Sequence, residues 1–162
     1  MKPLTGIRVL DFTTLLPGPL ATLMLSDAGA EVIKIEKIGG EDLRRSRPFL
    51  GEESILFSVL NRGKKSIEIN LKDKSSLIKL KKLIKNCDVL IEQFRPGVMD
   101  RLGLGWKSVK SLNNKIVYCS ITGYGQSGIK KNRAGHDLNY LAESGLLKLS
   151  TAKDGTPVLP NT

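Results

Sequence analysis

The stretch "GIRVLDFTTLLPGPLATLMLSDAGAEVIKIEK", residues 6–37, decides the architecture. Its first part, "GIRVLDFT" (6–13), is a short apolar run with branched residues, the pattern of a buried strand. "LATLMLSDAGA" (20–30) reads as an apolar helix ending near Gly29, with Pro17 and Pro19 suited to a turn and a first helical turn. "EVIKIEK" (31–37) alternates as a strand does. Strand, helix and strand with short connections make a βαβ unit, whose crossover is expected to be right-handed.

The same alternation continues along the chain. "KSIEINL" (65–71), "DVLIEQF" (88–94) and "KIVYCSITGYG" (115–125) read as strands. "KDKSSLIKLKKLIKNC" (72–87) reads as an amphipathic helix, with lysines on one side and Leu77, Leu80, Leu83 and Ile84 on the other. "ILFSVLN" (55–61), "RPGVMDRLGLG" (95–105) and "WKSVKSLN" (106–113) suit short helices, and "HDLNYLAESGLLKLS" (136–150) a longer one. Residues 38–54 and 126–135 are polar, glycine-containing loops, and 152–162 a turn with an extended tail. Strands alternating with helices predict an α/β fold, a Rossmann-like, mostly parallel sheet with flanking helices. No element follows the tail to complete a layer, so the chain reads as cut.

Composition narrows the function classes. Hydrophobic residues make up 40% of the 162-residue chain, enough for one domain with a core. No apolar run approaches the roughly 18 residues of a membrane span, and Asp11 and two prolines interrupt any signal-like stretch. A cytoplasmic protein with no membrane partner is expected. Cys87 and Cys119 do not have metal-site spacing and read as buried free thiols beside strands. The net charge of +10 suits a polyanionic partner or a solvated lysine face. With four Phe, three Tyr and one Trp there is little material for base stacking, so nucleic acid is not the expected partner.

The chemistry-bearing residues fall at strand ends. A dinucleotide fingerprint is absent: "TTLLPGP" stands where GxGxxG would let backbone approach a pyrophosphate, even though Glu36 ends the second strand. Lys37 follows strand two, Arg95 follows strand four, and Arg101 lies further along. Parallel sheets bind ligands outside the carboxyl ends of their strands, so these cations share one rim. That rim reads either as a grip on phosphate oxygens or as ordinary surface charge. His136, the one histidine, follows Gly135 at a helix start. A histidine there is either structural or a neutral base beside N–H groups that stabilise a developing anion. Asp137 is either a first-turn dipole partner or an active-site carboxylate. One histidine and no GxSxG leave no hydrolytic triad.

Five blocks, "GIRVLDFTTLLPGPLATLMLSDAGAEVIKIE", "NRGKKSIEINLK", "DVLIEQFRPGVMDRLGLG", "IVYCSITGYGQSG" and "AGHDLNYLAESG", occur in an order that resembles alpha-methylacyl-CoA racemases of the class III (family III) CoA-transferase superfamily. "GHDLNY" points to the racemase branch. The resemblance implies that residues 1–162 are the N-terminal part of a Rossmann-like large domain. A small domain and a C-terminal segment would be absent, and the whole protein would be an interlocked homodimer. It implies an acyl-CoA thioester as substrate and no metal or redox cofactor, CoA being part of the substrate.

Carried over by position, the resemblance makes His136 an acid/base at Cα. It makes Lys37, Ile69, Asn70, Leu71, Lys72, Gln93, Phe94, Arg95 and Arg101 contacts for CoA. Gly135, Asp137, Leu138, Asn139 and Tyr140 would surround the thioester. The implied reaction interconverts (2R)- and (2S)-2-methylacyl-CoA by 1,1-proton transfer through an enolate. Lys37 stands where the family commonly has an arginine, keeping the charge but losing the bidentate fork. Two departures stand against this reaction. The partner aspartate of such racemases would fall just past Thr162, so the chain alone is expected to be inactive. Residues 38–61 are nearer to transferase members. The alternatives are a CoA-transferase working through a covalent anhydride on a carboxylate, and a non-catalytic fragment binding CoA or nucleic acid.

Overall fold

The structure, a computed structural model, describes residues 1–159. The chain divides into two compact units, Met1–Ile121 and Thr122–Thr162.

The first unit begins with the βαβ predicted from its sequence: β1 (Arg8–Phe12), α1 (Pro17–Asp27) and β2 (Glu31–Glu36). Pro17 stands at the first turn of α1, where its missing N–H costs nothing. Past the helix end, Gly29 takes the left-handed φ of +104° that lets the chain reverse into β2. There follow a small antiparallel hairpin of β3 (Phe49–Leu50) and β4 (Glu53–Ser54), then α2 (Ile55–Asn61) and β5 (Lys65–Glu68). Next come α3 (Lys74–Ile84), β6 (Val89–Glu92), α4 (Val98–Arg101), α5 (Trp106–Leu112) and β7 (Val117–Ser120). The main sheet has the order β5-β2-β1-β6-β7 with every pairing parallel, as expected for this fold class. Between β1 and β6 the order of strands reverses direction, the switch point at whose carboxyl-end crevice sheets of this kind take their ligands.

Strand alternation sends side chains to two apolar layers. Leu10, Phe12, Ile35 and Leu90 pack with Leu80 and Ile84 of α3, Met99 of α4, and Val109 of α5. Val9, Val32 and Ile91 pack on the opposite side with Ala30, and Leu25 of α1 borders them. Full burial of a side chain such as Leu10 or Leu80 is worth about 1.5–3 kcal/mol. Helix α3 is amphipathic as read: Leu80 and Ile84 are buried, with Leu77 and Leu83 partly so. Its first turn is closed by Asp73, whose Oδ2 accepts from the Ser76 N–H at 2.7 Å.

Three expectations change. The loop at 38–54 contains a 3-10 turn, Asp42–Arg45, as well as the β3–β4 hairpin. Two-residue strands carry no periodicity to read. Cys119 is exposed and only Cys87 is buried. Cys119 sits on the edge strand β7, where Val117 and Cys119 are exposed and Tyr118 and Ser120 partly buried, so one face of the strand is uncovered. The helix expected over 136–150 is α6 (Asp137–Glu143), ended by Gly145 at φ +80° and followed by a separate 3-10 turn, Leu146–Leu149. α6 belongs to the second unit, where Tyr124 and Tyr140 stack edge to face at 5.4 Å between ring centroids. Glu143 there takes Lys130 at 2.6 Å and Arg133 at 2.8 Å. The tail turns back through a bridge between Thr151 and Pro157; residues 160–162 of the "PVLPNT" stretch lie outside the described residues. Among the described residues no helix is long and apolar enough to cross a membrane.

Candidate functional site

Because the sheet is parallel, the segments after β1, β2, β5 and β6 all leave its carboxyl end. The structure therefore brings to one rim Lys37, the run Ile69–Lys72, and the run Gln93–Arg95. Ile69 is held there by its N–H on the Glu36 carbonyl at 2.8 Å. Ile69 and Leu71 turn inward onto the core, while Asn70 caps its own turn, accepting from the Lys72 N–H at 3.0 Å. Lys72 is exposed. Arg95 and Arg101 are exposed and have no carboxylate within ion-pair distance among the described residues. The Arg101 guanidinium lies beside Gly97. Lys37, in contrast, is engaged: its ammonium bonds Asp42 at 2.6 Å and holds that carboxyl below its ordinary value.

At the switch point, Gln93 crosses from the end of β6 to the start of α1, its Oε1 accepting from the Gly18 N–H at 3.1 Å. A Cβ at Gly18 would lie 2.2 Å from the Thr13 side chain and 2.5 Å from that same Gln93 oxygen, so only glycine fits. Phe94 is packed against the core, and its N–H donates to buried Glu92 at 2.8 Å.

Behind the rim lies a buried polar network that the sequence reading did not anticipate. Asp11 accepts from Thr13 Oγ1 and Thr22 Oγ1, each at 2.5 Å, and pairs with Lys64 at 3.3 Å. Burial pulls the Lys64 ammonium below its ordinary value although Asp11 opposes the shift. Lys34, 1% exposed, donates to the Thr13 carbonyl at 2.8 Å and lies 3.0 Å from Glu41 Oε1. That oxygen receives no hydrogen bond, so the pair is held by charge. Glu36 takes a two-pronged grip from Arg44, at 2.8 and 2.6 Å, and also accepts from the Ser66 hydroxyl and the Glu41 N–H. Burial alone would raise the Glu36 carboxyl, but these donors outweigh it and hold it at about 2. Both oxygens of Glu36 are thus consumed within the chain, which agrees with the missing dinucleotide fingerprint. The available signal was a charged residue inside a run otherwise fit for a doubly buried strand, Asp11 in "VLDF" and Lys34 in "VIKI".

The remaining candidates lie in the second unit. His136 is the N-cap of α6, exposed, with its backbone N–H donating to Asn139 Oδ1 at 2.9 Å. Asp137 and Leu138 are exposed on the first turn. Tyr140 points back across the loop and donates its hydroxyl to the Gly135 carbonyl at 3.0 Å. A Cβ at Gly123 or Gly135 would strike the Tyr140 ring. Asn139 and Tyr140 therefore spend their polar groups on shaping the loop around Gly135 and His136.

The profile of CoA-transferase family III matches residues 4–162. The chain belongs to this family. It is 47% identical over 162 residues to succinyl-CoA:glutarate CoA-transferase of Mus musculus, covering 99% of this chain and 37% of that protein. It is 41% identical to acetyl-CoA:oxalate CoA-transferase of Acetobacter aceti, over 96% of this chain and 40% of that one. The crystal structure of a CAIB/BAIF family protein from Brucella suis superposes with a TM-score of 0.93 at 33% identity, over 99% of this chain and 44% of the other. The fold is thus that of class III CoA-transferase domains, and the chain spans about two fifths of the length of these curated relatives. These relatives carry CoA-transferase names and not racemase names, which favours the transferase alternative over the racemase reading of "GHDLNY".

Proposed function

We propose that the protein to which this chain belongs moves CoA between an acyl-CoA donor and a carboxylic acid acceptor, with short dicarboxylates as the acceptor class. The observation that carries this is the 47% identity to a protein named for succinyl-CoA and glutarate, reinforced by a second relative named for acetyl-CoA and oxalate. The strand-end rim supports it: Lys72, Arg95 and Arg101 are exposed cations free to grip the phosphates of CoA, and Arg95 and Arg101 can do so in a bidentate fork. Lys37 joins them on release from Asp42. Ile69, Asn70, Leu71, Gln93 and Phe94 shape the backbone that receives the nucleotide end.

In this reaction a carboxylate attacks the thioester carbonyl, the C–S bond breaks, and CoA leaves as thiolate while an acyl anhydride forms. The thiolate then attacks the anhydride at the enzyme's carbonyl, and the donor acid departs. The acceptor carboxylate repeats the sequence in reverse. Every step is acyl exchange between oxygen and sulfur, so no redox or metal cofactor is called for. His136 and Asp137, with Gly135, Leu138, Asn139 and Tyr140, form the loop proposed to face the thioester, and no proton at Cα has to move. Assembly as an interlocked homodimer belongs to the same proposal.

The test uses the complete protein with succinyl-CoA and glutarate, following glutaryl-CoA by chromatography. Transfer that survives His136→Ala is the expected result. Solvent deuterium entering Cα of a 2-methylacyl-CoA, without any acyl transfer, would overturn the proposal in favour of a racemase.

A further inference from the structure

Among the described residues Leu15 is the one non-glycine residue with positive φ, +60°. A bulky side chain in the left-handed region is unfavourable and persists only where the surroundings impose it. Leu15 lies in the turn between β1 and α1, beside the β1–β6 switch point, and the residue is 45% exposed, so its own packing does not impose the shape.

Both sides of the turn are instead held from below by one buried ion pair. Lys34, from the middle of β2, donates to the Thr13 carbonyl at 2.8 Å, and Glu41 Oε2 accepts from the Leu15 N–H at 3.0 Å. Lys34 and Glu41 are 3.0 Å apart, with side chains 1% and 2% exposed. A pair so deeply buried is seldom needed for stability alone, because apolar residues of similar volume often serve as well. Its carboxylate is also incompletely used, since Glu41 Oε1 receives no hydrogen bond.

We propose that Lys34 and Glu41 are positioning residues: their ion pair clamps the Thr13–Leu15 turn in its left-handed shape and so fixes the mouth of the crevice that receives the CoA donor. This rests on the CoA-transferase reading above. The clamp touches no reacting atom and acts through the Leu15 backbone.

The experiment is a double-mutant cycle on the complete protein, read as the Kd for CoA by calorimetry, with Tm recorded for each variant. One arm is the paired replacement Lys34→Met with Glu41→Leu, which removes both charges at similar volume. The other is Leu15→Gly, which makes the left-handed φ easy without a clamp. The paired replacement is expected to weaken CoA binding about tenfold or more in the Leu15 background and by less than about threefold in the Leu15→Gly background. Glu41→Asp keeps a charge for Lys34 but withdraws the carboxylate from the Leu15 N–H, giving a gentler probe with the same expected dependence on background.

Equal weakening in both backgrounds, or unchanged affinity with only a lowered Tm, overturns the clamp and leaves the transferase reading intact. Failure of the unmutated protein to bind CoA overturns the transferase reading and the clamp with it.

Discussion

Replacing Glu36 by Gln tests whether the buried carboxylate stabilises the first unit through its charge. The Glu36 carboxyl is held at about 2, against an ordinary 4.5, by Arg44, Ser66 and the Glu41 N–H acting against burial. A group depressed in the folded state contributes stability that is fully present above its unfolded pKa and lost as pH falls through its folded one. The window here runs from about 4.5 down to about 2. At 1.36 kcal/mol per pH unit the gap would give about 3 kcal/mol. Arg44 is 39% exposed, so solvent screens the pair and about 2 kcal/mol is the better figure. Glu36→Gln is therefore expected to lower the unfolding free energy by about 2 kcal/mol at pH 7 and by about 1 at pH 3. Urea denaturation of both proteins across that pH range measures the difference directly. A difference that stays constant from pH 7 to pH 3 would refute the charge argument and leave only a packing effect.

Other consequences follow from particular contacts. Asp73→Ala removes the N-cap of α3 and is expected to cost about 1 kcal/mol, seen as a lower urea midpoint with an unchanged slope. Gly123→Ala would place a methyl 2.0 Å from the Tyr140 hydroxyl. It should displace that ring, weaken its bond to Gly135, and destabilise the second unit by about 1–3 kcal/mol, visible as loss of near-ultraviolet tyrosine dichroism. Arg95→Ala should raise KM for the acyl-CoA about tenfold with kcat little changed, the signature of a group binding substrate and transition state alike. A large fall in kcat with unchanged KM would remove Arg95 from the proposed CoA rim.

The layout of the sheet was legible because its strands and helices obey simple periods. The run 55–61 reads as a helix and forms one over those same residues, and the strand at 31–37 is off by a single residue. The failures have physical causes. A hairpin of two-residue strands has too few residues to alternate. Gly145 permits a left-handed φ that ends α6, but glycine inside an apolar run gives no warning of which conformation it takes. The rim cations could be placed on one edge from sequence, since parallel topology alone requires it. The network behind them could not: that Lys34 meets Glu41 and Asp11 meets Lys64 depends on side chains 7 and 53 positions apart being folded into the same dry layer. Nor does the motif "GHDLNY" by itself decide between racemase and transferase: the contact it makes, the Tyr140 hydroxyl on the Gly135 carbonyl, shapes a loop and does not say which bond is broken.

The burial of Lys34 and Lys64 turns two of the chain's many lysines into internal reporters. An amine-directed acylating reagent should label the surface lysines of α3 within minutes while sparing these two. Their modification, read by mass spectrometry, would then time the moments when water first reaches the underside of the sheet.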